Sequence, residues 1–129
     1  MKYHKLFVYG TLRRGQRNNH LLGKSLHYGT CYIDGTMYSL GGFPFINTTK
    51  PGIVLGEVFE VNDETLARID YLEGYSGVED NNFYERIQVP CTLGVDVYVY
   101  VQNDREGNRP IPDGDWIRHE QEQRKIDCC

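Results

Sequence analysis

Glu73 is the residue whose placement most invites chemistry. It follows Leu66 by seven positions, Ile69 by four and Asp70 by three. On a helix it would share a face with an apolar residue at each earlier turn. A carboxylate aimed at a core is costly unless it is hydrogen-bonded or protonated. Desolvation would lift its pKa toward the range in which a general base works near neutral pH. The competing reading is a last-turn Glu whose side chain reaches water, and spacing alone leaves both open. Asp70 shares the ambiguity, with the backbone amides of a neighbouring loop as its expected partners.

Two further groups could serve such a base. Tyr9-Gly10-Thr11-Leu12-Arg13-Arg14-Gly15 reads as a strand running into a loop between two glycines. Gly10 lets the backbone come close to a ligand, and successive N–H groups in such a loop can form an anion-binding nest. It is no nucleotide-binding P-loop, because Gln16 follows Gly15 where a Lys would be required. A plain strand-to-loop turn remains the alternative. In Tyr84-Glu85-Arg86-Ile87-Gln88-Val89, Tyr84, Arg86 and Gln88 alternate to one face. Tyr98 and Tyr100 are expected to join them from the next strand, as a pocket wall or as a solvated sheet face.

Metal and nucleophile chemistry find little support. His20 and His119 lack a second ligand at metal spacing, and no Ser-His-Asp or Cys-His arrangement is visible. Of the four cysteines, Cys31 and Cys91 lie in strand-like runs and read as small buried hydrophobes. Cys128 and Cys129 sit on a polar tail.

The elements that must position these groups follow from periodicity. Strands are expected over residues 4–9, 28–34, 36–40, 53–61, 83–91 and 95–102, with a turn at Asp34-Gly35 and a loop at residues 41–44. Gly56 inside a strand marks a bulge or a close backbone approach. Asn62 is a fair N-cap, Asp63 and Glu64 suit a first turn, and Gly74 stops a helix over 63–73. Residues 117–127 form either a terminal helix or frayed coil. The order predicts an α+β fold on a small mixed or antiparallel β-barrel with flanking helices. The expected division is one domain over 1–117 and a polar C-terminal tail over 118–129.

The 129 residues suit a single core, and 25% charged with 40% hydrophobic residues is ordinary for a globular chain. A formal charge of −4 supplies no cationic excess for a phosphate backbone, so nucleic acid is not an expected partner. No apolar run has membrane-spanning length, and the short stretch Leu6–Tyr9 does not make a signal segment. A cytoplasmic protein with no membrane partner is expected, its oligomeric state undefined. Ten tyrosines are the compositional anomaly, and they suit half-buried sheets and pocket walls.

Taken in order, several segments resemble the γ-glutamylcyclotransferase-like family, which includes the γ-glutamylamine cyclotransferases and the plant avirulence-induced proteins. Val8-Tyr9-Gly10-Thr11-Leu12-Arg13-Arg14-Gly15, followed by Asn19-His20-Leu21-Leu22, resembles its opening signature. Gly41–Pro44, Gly56–Phe59, Ile69–Tyr75, Tyr84–Arg86, Val97–Val101 and Gly114–Trp116 resemble its later motifs, and the match spans about residues 6–117. Two departures stand out. Phe45 follows Pro44 where a small residue is expected, and Asn18-Asn19-His20 is shifted by one. Both touch loops near the expected pocket, so they bear on substrate size.

The resemblance implies a barrel-like β fold and ring closure of a γ-glutamyl amine or amide to 5-oxoproline. Glu73 would be the general base that frees the α-amine to attack the γ-carbonyl. Backbone amides of Gly10, Thr11 and Leu12 would hold the carboxylate or the oxyanion, with Tyr9, Tyr84, Arg86 and Tyr100 completing the substrate site. No cofactor or metal is implied, and the partner is a small-molecule γ-glutamyl compound. A non-catalytic module binding a small anionic metabolite on the same fold is the alternative, and a protein-docking role for the tyrosine-rich face is a more distant one.

Overall fold

A computed structural model describes residues 2–78 and 82–127, the side chain of Asp127 excepted. Cys128 and Cys129 lie outside the described residues. The elements in chain order are β1 (Tyr3–Val8), β2 (Leu26–Asp34), β3 (Thr36–Ser39), β4 (Pro44–Asn47), β5 (Ile53–Asn62), α1 (Asp63–Glu73), β6 (Glu85–Pro90), β7 (Asp96–Val101), β8 (Pro110–Ile111) and α2 (Trp116–Asp127). A 3-10 turn, Asn19–Leu22, lies between β1 and β2.

β1 is the middle strand of a five-stranded sheet ordered β2-β5-β1-β7-β6. It runs antiparallel to β5 and parallel to β7. Both faces of β1 are covered, which is why Leu6-Phe7-Val8-Tyr9 is continuously apolar instead of alternating. Phe7 and Tyr9 pack with Val54, Val58, Val97, Val99 and Trp116 on one side. Leu6 and Val8 pack with Phe59, Val61, Leu66, Ile69 and Tyr100 on the other. The valines at 97, 99 and 101 fill the first of these cores, as their alternation predicts.

The α+β class holds, but the strands do not close into one barrel. Among the described residues β3 belongs to a separate three-stranded sheet, ordered β4-β3-β8. The reason lies at Asp34-Gly35, which the sequence reads as a tight turn between neighbouring strands. β2 pairs with β5 and β3 pairs with β4 and β8, so Gly35, at φ 150°, carries the chain from one sheet to the other. The sheets are joined where β7 ends, by the Gln102 N–H donating to the Ile46 carbonyl at 3.0 Å.

Helix α1 has the predicted limits. The Asn62 side chain accepts from the Thr65 N–H at 2.8 Å, and Gly74 closes the helix in the left-handed conformation at φ 68°. The segment after Ile117 is helical, rooted by fully buried Trp116. Among the described residues no helix is long and apolar enough to cross a membrane.

Gly56 marks a close approach and not a bulge; the register shift lies in β2, between His27 and Gly29. A Cβ at Gly56 would lie 2.5 Å from the Val8 carbonyl oxygen and 2.5 Å from Phe7 Cζ. The carbonyl is backbone of the central strand and cannot step aside. Gly56→Ala is therefore expected to destabilise the protein by about 2–3 kcal/mol, read as a lowered urea midpoint with unchanged m-value.

Candidate active site

The sheet topology brings one end of the central strand, the end of α1 and the start of β6 to a common place. There they line a cavity of about 230 Å³. Its walls include Tyr9, Gly10, Thr11, Leu12, Glu73, Tyr84 and Tyr100, so seven of the eight sequence-predicted site residues meet. Arg17, Asn18, Leu72, Phe43, Pro44 and Phe83 complete most of the remaining lining.

Glu73 is the last residue of α1, and its main chain is stitched to the strand it faces. The Tyr84 N–H donates to the Glu73 carbonyl at 3.3 Å, and the Phe83 N–H donates to the Gly74 carbonyl at 2.9 Å. The Glu73 side chain is half-buried, and among the described residues no hydrogen bond or ion pair engages its carboxylate. Burial pushes its pKa up from the ordinary carboxylate range to about 7. The Tyr9, Tyr84 and Tyr100 hydroxyls each lie close enough to feel its charge. All three titrate well above the usual tyrosine range, chiefly through burial, with Glu73 adding to the shift. They remain neutral, and each already donates: Tyr9 to the Tyr100 carbonyl at 2.7 Å, Tyr84 to the Pro44 carbonyl at 2.6 Å, Tyr100 to Asp70 Oδ1 at 2.6 Å. The tyrosines are fixed walls around an unpaired carboxylate.

The loop after β1 offers the complementary chemistry. Among the described residues the N–H groups of Gly10, Thr11 and Leu12 donate to no protein acceptor, whereas the amides of Arg13 and Arg14 do. Three unused donors on a cavity wall suit an anionic group. The loop is held open from behind. Arg13 Nε donates to Glu57 Oε2 at 2.9 Å, the Arg14 N–H to Glu57 Oε1 at 2.8 Å, and Arg13 Nη1 to Asp115 Oδ1 at 3.2 Å. Asn18 Nδ2 donates to Thr11 Oγ1 and Asn19 Nδ2 to the Leu12 carbonyl. Backbone can approach closely here because Gly10 has no Cβ; one would meet the Pro44 ring at 3.0 Å.

Arg86 is the predicted site residue that the structure does not bring to the cavity wall. It pairs with Tyr100 in the β6–β7 ladder, whereas Tyr84 lies before β6 begins. Its Nη1 lies 2.5 Å from Asp70 Oδ2, and its guanidinium sits 4.9 Å from the ring centroids of both Tyr75 and Tyr98. Burial pulls its pKa down, but the Asp70 carboxylate outweighs this and leaves it above the ordinary value. Asp70 correspondingly takes Arg86 and Tyr100 as partners instead of loop amides. Asp70, one helical turn before Glu73, takes up the Arg86 charge, and among the described residues no cation pairs with Glu73. Phe45 is fully buried and stacks on Tyr38, so it does not narrow the cavity.

Sequence reasoning assigns no role to Glu57. Its signal was present, a carboxylate inside the apolar run Ile53–Val61, but its partner Arg13 lies 44 residues away. The rings of Phe43 and Phe83 also escaped: Phe43 sits in a loop without periodicity, and the sequence reads Phe83 as the start of a strand, whereas β6 begins only at Glu85. Cys31 and Cys91 are buried and free, as expected, and burial together with the neighbouring Cys91 pushes the Cys31 thiol up to about 12.

Comparisons with known proteins bear on what this site belongs to. The family described as γ-glutamyl cyclotransferase, AIG2-like, matches residues 6–118. The γ-glutamylcyclotransferase family protein YtfP of Escherichia coli is 35% identical over 115 residues, covering 88% of this chain and 96% of its own. The γ-L-glutamyl-butirosin B γ-glutamyl cyclotransferase of Niallia circulans is 41% identical over 107 residues, covering 77% of this chain and 68% of its own. In structure, protein PH0828 of Pyrococcus horikoshii superposes with a TM-score of 0.76 at 24% identity, covering 95% of this chain and 97% of its own, which establishes the shared fold. The chain belongs to the γ-glutamyl cyclotransferase, AIG2-like family, whose members' names mark it as an enzyme of the γ-glutamylcyclotransferase type.

Proposed function

We propose that the protein converts a small γ-glutamyl amine or amide to 5-oxoproline and a free amine, with Glu73 as the proton carrier. The observation that carries this reading is an unpaired carboxylate of pKa about 7 on one wall of a cavity whose lining also offers three unpaired backbone amides. The substrate brings its own nucleophile and electrophile on one short chain, so proximity is largely built in. Glu73 removes one proton from the α-ammonium group. The freed amine attacks the γ-carbonyl carbon, and the carbonyl oxygen becomes an oxyanion. As the intermediate collapses, the bond from the γ-carbon to the leaving nitrogen breaks and Glu73 returns the proton to that nitrogen. The second proton that the attacking nitrogen sheds as it becomes the lactam N–H passes by the same carboxylate to the released amine, which leaves as its ammonium. Charge and protons balance without another reactant.

The amides of Gly10, Thr11 and Leu12 are the donors for the oxyanion or for the substrate carboxylate, both of which need fixed N–H groups. The rings of Tyr9, Tyr84 and Tyr100 keep the folded conformer in place and restrict water. Arg86 acts from outside the cavity, by holding Asp70 and Tyr100. Release of 5-oxoproline is to be measured on γ-glutamyl dipeptides, γ-glutamyl-ε-lysine, a γ-glutamyl alkylamide and glutathione. Release from at least one, at a rate proportional to enzyme, is expected. Silence across the panel from folded protein would remove the reading and favour a binding role for the cavity.

A further inference from the structure

The cavity differs in kind between its floor and its rim. The floor holds the unpaired amides, Glu73 and the buried tyrosines. The rim carries Phe43, Phe83 and Leu72, which are 37%, 53% and 42% exposed, together with exposed Arg17. We propose that this rim receives the leaving amine and selects an α-amino acid with an aromatic side chain, so that the preferred substrate class is γ-glutamyl-aromatic dipeptides such as γ-glutamyl-phenylalanine. The inference rests on the cyclotransferase reading, which places the γ-glutamyl head on the floor and the leaving group toward solvent.

Three observations support it. The rings are built into place. The Phe83 N–H is bonded to the Gly74 carbonyl, and its ring stands edge-on to Tyr84 with centroids 5.0 Å apart. The Phe43 carbonyl accepts from the Leu40 N–H at 2.9 Å. Phe43 and Phe83 touch each other, with centroids 6.1 Å apart and planes tilted by 60°. They therefore present an open angular aromatic surface at the cavity mouth, on which a third ring packs from the solvent side. Arg17 supplies the charge. One guanidinium nitrogen donates to the Gly42 carbonyl at 3.2 Å, which ties it to the loop carrying Phe43. Among the described residues no carboxylate pairs with it. A cation on the same cavity lining as the two rings, with no described carboxylate paired to it, matches the carboxylate and ring of an aromatic amino acid. It repels an amine that carries a second ammonium group.

The test measures kcat/KM for 5-oxoproline release from γ-glutamyl-phenylalanine, γ-glutamyl-glycine, γ-glutamyl-phenethylamine and γ-glutamyl-diaminobutane. Wild type is expected to favour γ-glutamyl-phenylalanine over γ-glutamyl-glycine by roughly 10-fold or more, the effect of covering an aromatic side chain. The phenethylamine compound, which lacks the carboxylate, should fall about 3-fold below γ-glutamyl-phenylalanine, as for one exposed ion pair. Phe43→Ala/Phe83→Ala should collapse the first ratio toward one, and Arg17→Met the second. If γ-glutamyl-glycine or the diaminobutane compound is turned over as well as γ-glutamyl-phenylalanine, the rim does not select and the inference falls, while the cyclotransferase reading stands. If no compound yields 5-oxoproline, that reading falls, and calorimetric titration of γ-glutamyl-phenylalanine decides the rim. Binding weakened about 10-fold in the double Phe variant supports it. Equal or absent binding overturns it.

Discussion

Glu73→Gln is expected to lower the rate of 5-oxoproline release by at least about 10²-fold, the lower end for loss of a positioned general base. Gln keeps the shape and the half-buried position but cannot take a proton. Far-ultraviolet circular dichroism should therefore match wild type, which separates lost chemistry from lost fold. Retained turnover would remove Glu73 from the mechanism. The wild-type rate should rise with pH through about 7, because only the ionised carboxylate accepts the α-ammonium proton. Stability should move the other way. In the unfolded chain Glu73 titrates as an ordinary carboxylate, near 4.5, and in the folded protein near 7. Between these values the folded state holds a proton that the unfolded state has released. The contribution is therefore fully present below the unfolded value and lost as pH rises through the folded one. Glu73→Gln escapes this loss. At pH 8 it should be more stable than wild type by on the order of 1–2 kcal/mol, after allowance for solvent screening of a half-buried group, and near parity at pH 4.5. Matched urea titrations at the two pH values read the difference.

Removing the anchor behind the amide loop should have the largest effect on stability. Glu57 and Arg13 are 4% and 8% exposed, and Glu57 accepts both the Arg13 side chain and the Arg14 N–H. Glu57→Met leaves a buried guanidinium with only the longer contact to Asp115 and leaves the Arg14 amide unpaired. A loss of about 3–5 kcal/mol is expected, since one partner of a buried pair is left uncompensated. For a chain of this size that is a fall in Tm of roughly 10–20 °C. The double variant Arg13→Met/Glu57→Met should recover part of the loss, because no lone charge then remains inside. A Tm within about 2 °C of wild type for the single variant would show that Arg13 finds water or Asp115 sufficient.

The contrast between these two carboxylates shows what a sequence can and cannot reveal here. The evidence that singles out Glu73 is local, with Leu66, Ile69 and the stop at Gly74 within about two helical turns of it, but spacing alone leaves open whether its side chain reaches water, and its role as a base comes from the resemblance. The same locality made α1 readable to its limits, through Asn62 and Gly74. β7 was readable through strict alternation of valines. Glu57 carries its meaning through Arg13 and Asp115, which only the fold brings near, and no periodicity joins them. β4 was missed, with Pro44 placed in a loop and residues 45–47 unassigned, because Pro44 and a length of four residues give too little pattern. β8 has only two residues and went unseen. The expected barrel failed at Gly35 for the same reason, since whether neighbouring strands pair with each other is a long-range decision. Arg86 shows a finer limit. Alternation grouped it with Tyr84 and Gln88, but could not show that it would pair with Asp70 and stay out of the cavity lining.

The paired hydrogen bonds at Glu73–Tyr84 and Gly74–Phe83 have a consequence for how this scaffold can vary. They bring the two ends of the intervening stretch together like the neck of a purse, immediately beside the proton carrier. The stretch beyond that neck begins with Tyr75, whose ring lies 4.9 Å from the Arg86 guanidinium. Residues can be added or removed there at little entropic cost, because the penalty for closing a loop grows only slowly with its length. The same neck sets the position of Phe83, so a change in loop content can remodel what lies over the cavity mouth while the proton-transfer geometry stays put. The fold thus separates the part of the site that must be invariant for chemistry from a part that is free to drift.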